Sequence, residues 1–171
     1  MFQMVFETQY NAKTMSLMAK ALRKTIRKKR SCRSHIFGWI FTILGLFLII
    51  EGFAFDFRTI ILSIAVLLLL VDLLFEDKIN GYVAKKHLLP GTEKAVTAFS
   101  ENGFVSTTDA GKSEWNYDKI EQIAETEDFF VFIFNEVHAQ LYDKRQLQGG
   151  TVEEFRDFIQ RKTGKPVERI W

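Results

Sequence analysis

The stretch RKTIRKKRSCRSHIFGWIFTILGLFLII, residues 23–50, decides the fold, because a dense basic run passes almost at once into an apolar run without charge. A second apolar run occupies residues 59–71. A signal peptide has an apolar core of about 7–15 residues followed by a small-residue cleavage site. Here 34 residues precede a longer run, and no such site follows it. Since a spanning helix needs about 20 apolar residues, we predict a transmembrane hairpin over 35–76, with spans at 35–55 and 58–76.

Charge is distributed unevenly along the chain. Residues 1–34 contain nine Lys or Arg and one acid, whereas residues 77–171 contain 13 Lys or Arg and 16 Asp or Glu. The cytoplasmic ends of membrane helices carry an excess of Lys and Arg. Eight basic residues lie within 20–33, and the turn between the two spans offers only Arg58. We therefore expect both termini on the cytoplasmic side and a short turn on the other side.

The basic residues that flank the hairpin have a second interpretation besides orientation. They can bind anionic lipid headgroups, and each cation near the membrane surface contributes about 1 kcal/mol to such binding. Nucleic-acid binding is disfavoured, because no aromatic residues are interleaved with the basic run and no reader motif accompanies it. The candidate lipid-facing residues are Lys20, Arg23, Lys24, Arg27, Lys28, Lys29, Arg30, Arg33, Lys85 and Lys86.

Three glycines of the first span, Gly38, Gly45 and Gly52, recur at intervals of seven residues and so share one stripe of a helix. Small residues let membrane helices approach each other closely. Two interpretations stay open: the stripe packs against the second span of the same chain, or it forms the interface of a homodimer.

Two acidic residues, Glu51 and Asp72, lie near opposite edges of the predicted hairpin. Charged groups inside membranes are costly and are often functional. Because the two spans are antiparallel, these carboxylates are at different depths and cannot pair. We expect Asp72 near the cytoplasmic interface, within reach of Arg33 or His35, and an ion or proton pathway is disfavoured.

The segments outside the hairpin favour a small antiparallel β domain. The sequence predicts a strand at 2–9, a helix capped by Asn11, and several strands within 94–143. The run at 129–134 is apolar on both faces, so both faces are covered, or one meets a partner or the membrane. Thr151 and Glu154 form a capping box that begins a C-terminal helix. The predicted fold class is α+β, a two-helix transmembrane hairpin plus a small antiparallel β domain closed by a C-terminal helix.

We divide the chain into three parts. Residues 1–34 form a cytoplasmic strand and a basic amphipathic helix, residues 35–76 form the hairpin, and residues 77–171 form the β domain. The strand at 2–9 can complete the sheet of that domain, in which case the hairpin is inserted into one folded unit.

The order of these segments and several short motifs resemble a known family. The motifs are SENGFV at 100–105, WNYDKI at 115–120, EDFFVFIF at 127–134, DKRQL at 143–147 and EEFRDFIQRK at 153–162. They resemble the YcxB-like membrane proteins of bacteria, whose C-terminal domain is similar to bacterial pleckstrin-homology-like (PH-like) domains. The resemblance implies a PH-like domain at the cytoplasmic face of the bacterial inner membrane, and it brings no catalytic residue with it.

No catalytic constellation stands out, and we predict that the protein is not an enzyme and has no cofactor or metal. The three histidines are scattered and lack the spacing of a zinc site. Glu125, Glu127 and Asp128 are interpreted as a solvated hairpin. Trp115 is interpreted either as an anchor of the core or as a contact to a partner.

The sequence therefore favours a non-enzymatic integral membrane protein that presents a PH-like domain for interaction with another protein. One alternative is a protein that binds anionic lipids or senses the membrane. The other is an accessory subunit of a membrane enzyme or transporter. The identity of a protein partner and the existence of a homodimer stay open.

Overall fold

The computed structural model describes residues 4–52 and 56–170. The first two residues of the strand predicted at 2–9, and residues 53–55 of the first predicted span, lie outside the described residues. The described elements are, in chain order, β1 (Met4–Gln9), α1 (Ala12–Lys24), α2 (Lys28–Glu51), α3 (Phe57–Lys86), β2 (Lys94–Phe99), β3 (Phe104–Thr108), β4 (Gly111–Trp115), β5 (Gln122–Glu125), β6 (Phe129–Ile133), β7 (Ala139–Asp143), β8 (Leu147–Gln148), α4 (Val152–Thr163) and β9 (Val167–Arg169).

The helices α2 and α3 form a long pair. They have 24 and 30 residues and extend beyond the apolar runs, because charged residues at the start of α2 and at the end of α3 continue both helices. Both helices are long and apolar enough to cross a membrane. Side chains such as Phe41, Ile43 and Leu68 are more than 59% exposed, so this pair is not the core of a soluble domain. These features associate the chain with a membrane.

One sheet contains strands from both sides of the hairpin. Its order is β4-β3-β2-β1-β8. The strand β1, which precedes the hairpin, pairs antiparallel with β2 along its whole length, from Met4 opposite Phe99 to Gln9 opposite Lys94. On its other edge β1 pairs with β8.

The second sheet has the order β7-β6-β5-β9. The strands β5, β6 and β7 are consecutive and antiparallel, whereas β9 lies parallel to β5. The sequence did not predict β9, because it has only three residues and follows directly after the residues that end α4.

An aromatic core fills the space between the two sheets and α4. Phe99 lies near its centre, with ring centroids 4.9 Å from Phe155 and 5.2 Å from Tyr142. The helix α4 begins with the predicted capping box, in which Thr151 accepts from the amide of Glu154. Burial of this many aromatic side chains is the main stabilising contribution to the domain.

The helix α1 covers the outer face of the second sheet. Phe129, Val131 and Ile133 of β6 point to this face and pack with Ala21 and Leu22 of α1 in a second buried cluster. The opposite face of β6 contributes to the aromatic core. Both faces of this strand are therefore covered within the chain. The α+β fold class predicted from the sequence is confirmed: two long apolar helices, antiparallel sheets and a C-terminal helix.

Candidate functional site

The helix α1 is held between the β domain and the C-terminal end of α3. Asn11 caps α1 by accepting from the amides of Lys13 and Thr14. At Gly81 of α3 the two helices approach so closely that a Cβ atom would overlap the backbone N and Cα of Ser16. We call this contact between α1 and α3 the junction. It connects the apolar helix pair directly to the helix that covers the second sheet.

Ion pairs connect the helices at the end of the junction that is nearer to the apolar segments. Arg23 donates to both carboxylate oxygens of Asp77, with distances of 2.7 Å from Nε and 2.6 Å from Nη2. Its Nε is also 3.6 Å from Glu76, which lies 2.6 Å from Nε2 of His35. A guanidinium that donates two parallel hydrogen bonds to one carboxylate fixes the relative orientation of the two side chains and also contributes binding energy. His35 thus pairs with Glu76, one turn beyond the Asp72 that the sequence suggested.

A cavity of about 490 Å³ lies beside the junction, between the first turns of α2 and the C-terminal strand β9. We call it the basic cavity. Its lining residues are Arg23, Lys24, Lys28, Ser31, Cys32, His35, Glu168, Arg169 and Ile170. Three of the cations, Lys24, Lys28 and Arg169, have no carboxylate partner among residues 4–52 and 56–170.

The structure divides the ten candidate lipid-facing residues into groups with different surroundings. Arg23 is engaged at the junction, and Arg27 donates to the carbonyl of Glu136 at 2.6 Å. Lys28, Lys29, Arg30 and Arg33 are exposed on the first turns of α2, and Lys20 and Lys24 are half-buried on α1.

Lys85 and Lys86 lie in the last turn of α3. They follow Glu76 by nine and ten residues, which places them about 14 Å farther along the helix. The two lysines therefore lie farther from the apolar segments than His35 does. Their place in a set of membrane-facing cations stays a prediction.

Two of the three glycines contact the second helix of the same chain. A Cβ at Gly38 would lie 2.7 Å from Cδ2 of Leu73, and one at Gly45 would overlap Cγ2 of Val66. Gly52 lies at the end of α2, where its amide donates to the carbonyl of Leu48. Its nearest neighbour is that same carbonyl.

A groove of about 390 Å³ opens between α1, the end of α3 and one end of both sheets. Its lining is mostly apolar or small. The residues are Tyr10, Met15, Met18, Ala84, Leu88, Thr92, Ala95, Ser106, Thr108, Ser113, Trp115, Val137, His138, Ala139 and Gln140. Val137 is 79% exposed at its rim, so an apolar side chain is offered to solvent there.

Trp115 lies at one side of this groove. Its ring stacks on His138, with centroids 5.4 Å apart, and lies 4.7 Å from the ring of Phe134. Burial against these rings lowers the pKa of His138, which favours the neutral imidazole. The indole Nε1 of Trp115 is buried and has no partner among the described residues. Trp115 therefore packs on the core and borders the groove as well.

A buried ion cluster connects β5, α4 and the turn after β7. Glu125 is 4% exposed, and Arg156 donates to its two oxygens at 2.6 and 2.9 Å. Lys144 lies 2.7 Å from the same carboxylate and donates to the carbonyl of Thr126. The prediction that Glu125 is exposed to solvent in a hairpin is therefore wrong. The alternation of side chains along β5 could have predicted this burial. Glu125 follows the buried Ile123 by two positions and therefore lies on the same face of the strand.

No group of three or more His, Cys, Asp or Glu side chains in residues 4–52 and 56–170 is placed to hold a metal ion. Two polar residues of the groove lining are paired with buried neighbours: Thr97 donates to Ser106, and the Tyr142 hydroxyl donates to Gln140. The geometry thus offers two surfaces for binding, a groove and a basic cavity, and the junction connects both to the apolar helices.

These features define a class: a membrane-associated protein whose small two-sheet domain is packed on the charged extension of an apolar helix pair. The model of the YcxB-like protein family matches residues 99–159, from the end of β2 into α4. This match confirms the resemblance to the YcxB-like family over that segment. Comparison with curated proteins gave no match, and comparison with solved structures gave none either.

Proposed function

We propose that the chain is a non-enzymatic membrane protein that holds a PH-like domain at the cytoplasmic face of the inner membrane and binds another protein in the groove. The two sheets closed by α4 support the PH-like assignment. The eight basic residues within 20–33, against Arg58 alone in the turn, support the cytoplasmic orientation.

One observation carries this proposal: the membrane helix itself forms a wall of the groove. The helix α3 runs without interruption from the apolar segment to Lys86, and Ala84 near its end lines the groove. The opposite wall is the edge strand β4, of which Ser113 and Trp115 line the groove. Edge strands beside apolar pockets bind extended peptides by adding a strand and placing alternate side chains in the pocket.

The proposed partner is therefore a protein segment in an extended conformation. Lys112 and Glu114 alternate with the groove-lining positions of β4, and their side chains point to the opposite face of the strand. The outer edge of β4 has no neighbouring strand among the described residues. A peptide paired with this edge gains backbone hydrogen bonds, and the groove selects its side chains.

Photo-cross-linking in cells tests this proposal. We expect a photoreactive phenylalanine at Ser113 to yield a discrete cross-linked protein, because Ser113 lines the groove. The same residue at Lys112 should yield less adduct, because its side chain lies on the other face of the strand, away from the groove. Lys112 is the matched control, since both positions are exposed and adjacent on β4. Mass spectrometry of the adduct identifies the partner, including an enzyme or transporter subunit if the chain is an accessory protein.

Two outcomes would overturn the groove as the binding surface. Equal amounts of adduct from the two positions would mean that the partner contacts β4 without preferring the face that lines the groove. Adducts from Lys112 alone would place the partner on the opposite face of the sheet.

A further inference from the structure

We infer that the basic cavity binds the phosphate group of one anionic lipid in the membrane leaflet next to the domain. This inference rests on the membrane insertion contained in the proposed function, and it does not depend on the groove. The ligand class is an anionic phospholipid, recognised through its phosphate.

The position of the cavity fits the headgroup layer. Along α2 the lining begins at His35, next to the first apolar residue, and ends at Lys28, a rise of about 10 Å. A bilayer with a hydrocarbon core of about 30 Å has headgroup regions of about 5–8 Å on each side. The cavity therefore begins at the hydrocarbon edge and extends through the depth at which lipid phosphates lie.

The charge of the cavity fits an anion. Lys24, Lys28 and Arg169 converge on it from α1, α2 and the C-terminal strand, and Glu168 is the one carboxylate in its lining. The neighbouring acids do not neutralise these cations, because Glu76 and Asp77 are engaged by His35 and Arg23. An arginine fork and a lysine are complementary to a phosphate.

The start of α2 adds to the positive potential. The helix begins at Lys28 with no side-chain cap and no acid in its first turn. The amide of Lys28 donates to the carbonyl of Thr25, so the contribution of this helix end is that of the dipole of a 24-residue helix, which favours an anion.

The surroundings indicate a lipid as the source of the phosphate. Ile36 and Phe37 follow His35 directly, and their side chains are 54% and 56% exposed. Acyl chains attached to a phosphate in the cavity would lie along these side chains. A soluble phosphate would gain nothing from them.

The test uses the full-length protein in detergent micelles, titrated with phosphatidylglycerol and counted by native mass spectrometry. The variant K28Q/R169Q removes two cations of the cavity, and the matched control K29Q/R33Q removes two cations from the same turns of α2 outside its lining. All four side chains are exposed, so both variants should fold, which hydrogen exchange of the β domain verifies. We expect one retained phosphatidylglycerol whose affinity falls roughly 30-fold in K28Q/R169Q, because each charge-assisted hydrogen bond to the phosphate is about twice as strong as the neutral one that glutamine can make. The affinity should fall about twofold or less in the control, whose cations act only through screened attraction.

Equal losses in both variants would mean diffuse attraction and would overturn the site, as would no loss in either. A parallel titration with glycerol phosphate at constant ionic strength distinguishes the two sources. Weak competition by glycerol phosphate supports the lipid. Competition as strong as that of the lipid itself would assign the cavity to a soluble phosphate. Reconstitution into lipid nanodiscs separately reports membrane insertion, so failure of the proposed anchoring is recognised independently.

Discussion

Replacing Glu125 by Gln should lower the local unfolding free energy of the β domain by about 3 kcal/mol, because it leaves Arg156 and Lys144 without their carboxylate. Both cations are largely buried, with side-chain exposures of 22% and 12%. Hydrogen–deuterium exchange of the β5 and β6 amides, with the full-length protein in micelles, measures this loss. Glu153→Gln is the matched control, since Glu153 is 75% exposed and 3.9 Å from Arg156. The control should change the free energy by less than about 0.5 kcal/mol.

The same cluster predicts a dependence on pH. Burial raises the pKa of Glu125, but hydrogen bonds from Arg156 and Lys144 outweigh burial, and the net pKa lies below the ordinary value of 4.5. A carboxylate with a lowered folded-state pKa contributes its full stabilisation above the unfolded-state pKa and loses it as the pH falls through the folded-state value. The wild type should therefore lose its advantage over Glu125→Gln below pH 4.5. Equal stability of the two proteins at pH 7 would show that the ion cluster has no net stabilising effect.

Replacing Gly81 by Leu should separate α1 from α3 and open the second buried cluster. The added side chain would overlap the backbone of Ser16, which cannot move aside as the end of a flexible side chain can. Overpacking costs about 1–3 kcal/mol and occasionally more. We expect the upper end of that range, although leucine favours a helix over glycine by up to about 1 kcal/mol.

Hydrogen exchange of the α1 amides measures this effect, and about 3 kcal/mol corresponds to exchange roughly 150-fold faster. Tyr82→Leu is the control: it places the same side chain at the next position, where the native residue is 66% exposed. Unchanged protection of α1 in Gly81→Leu would mean that the junction is not tightly packed. The connection between hairpin and domain would then be loose.

The periodicity of the chain predicted the elements well, because period and caps are local properties. The capping box at Thr151 and the double-sided run at 129–134 are examples. The element that covers the outer face of β6 is α1, which precedes it by more than a hundred residues. The residue spacing within α1 or β6 does not specify that these two elements pack together. Their contact depends on the position at which the chain leaves the hairpin and re-enters the β domain.

The sequence predicted the candidate site less well than the elements, because the site also depends on contacts between distant segments. The basic run predicts cations near a membrane, but which of them are neutralised depends on acids of α3. Asp77 engages Arg23, whereas Lys28 has no such partner among the described residues. Arg169 joins the basic cavity only because β9 pairs with β5.

The central claim is that the apolar helices cross the membrane as a hairpin, with both halves of the split β domain on the cytoplasmic side. The chain has one cysteine, Cys32, which is exposed in the N-terminal part of α2. Arg58 is exposed at the start of α3, at the other end of the hairpin. These two positions report the two sides of the membrane with a single thiol each.

The measurement is labelling of protoplasts with a membrane-impermeant maleimide, before and after lysis. The wild type should be labelled at Cys32 only after lysis, and the variant C32S/R58C should be labelled in intact protoplasts. Labelling of Cys32 in intact protoplasts would contradict the cytoplasmic orientation. Protection of the thiol at position 58 until lysis would contradict a hairpin that crosses the membrane.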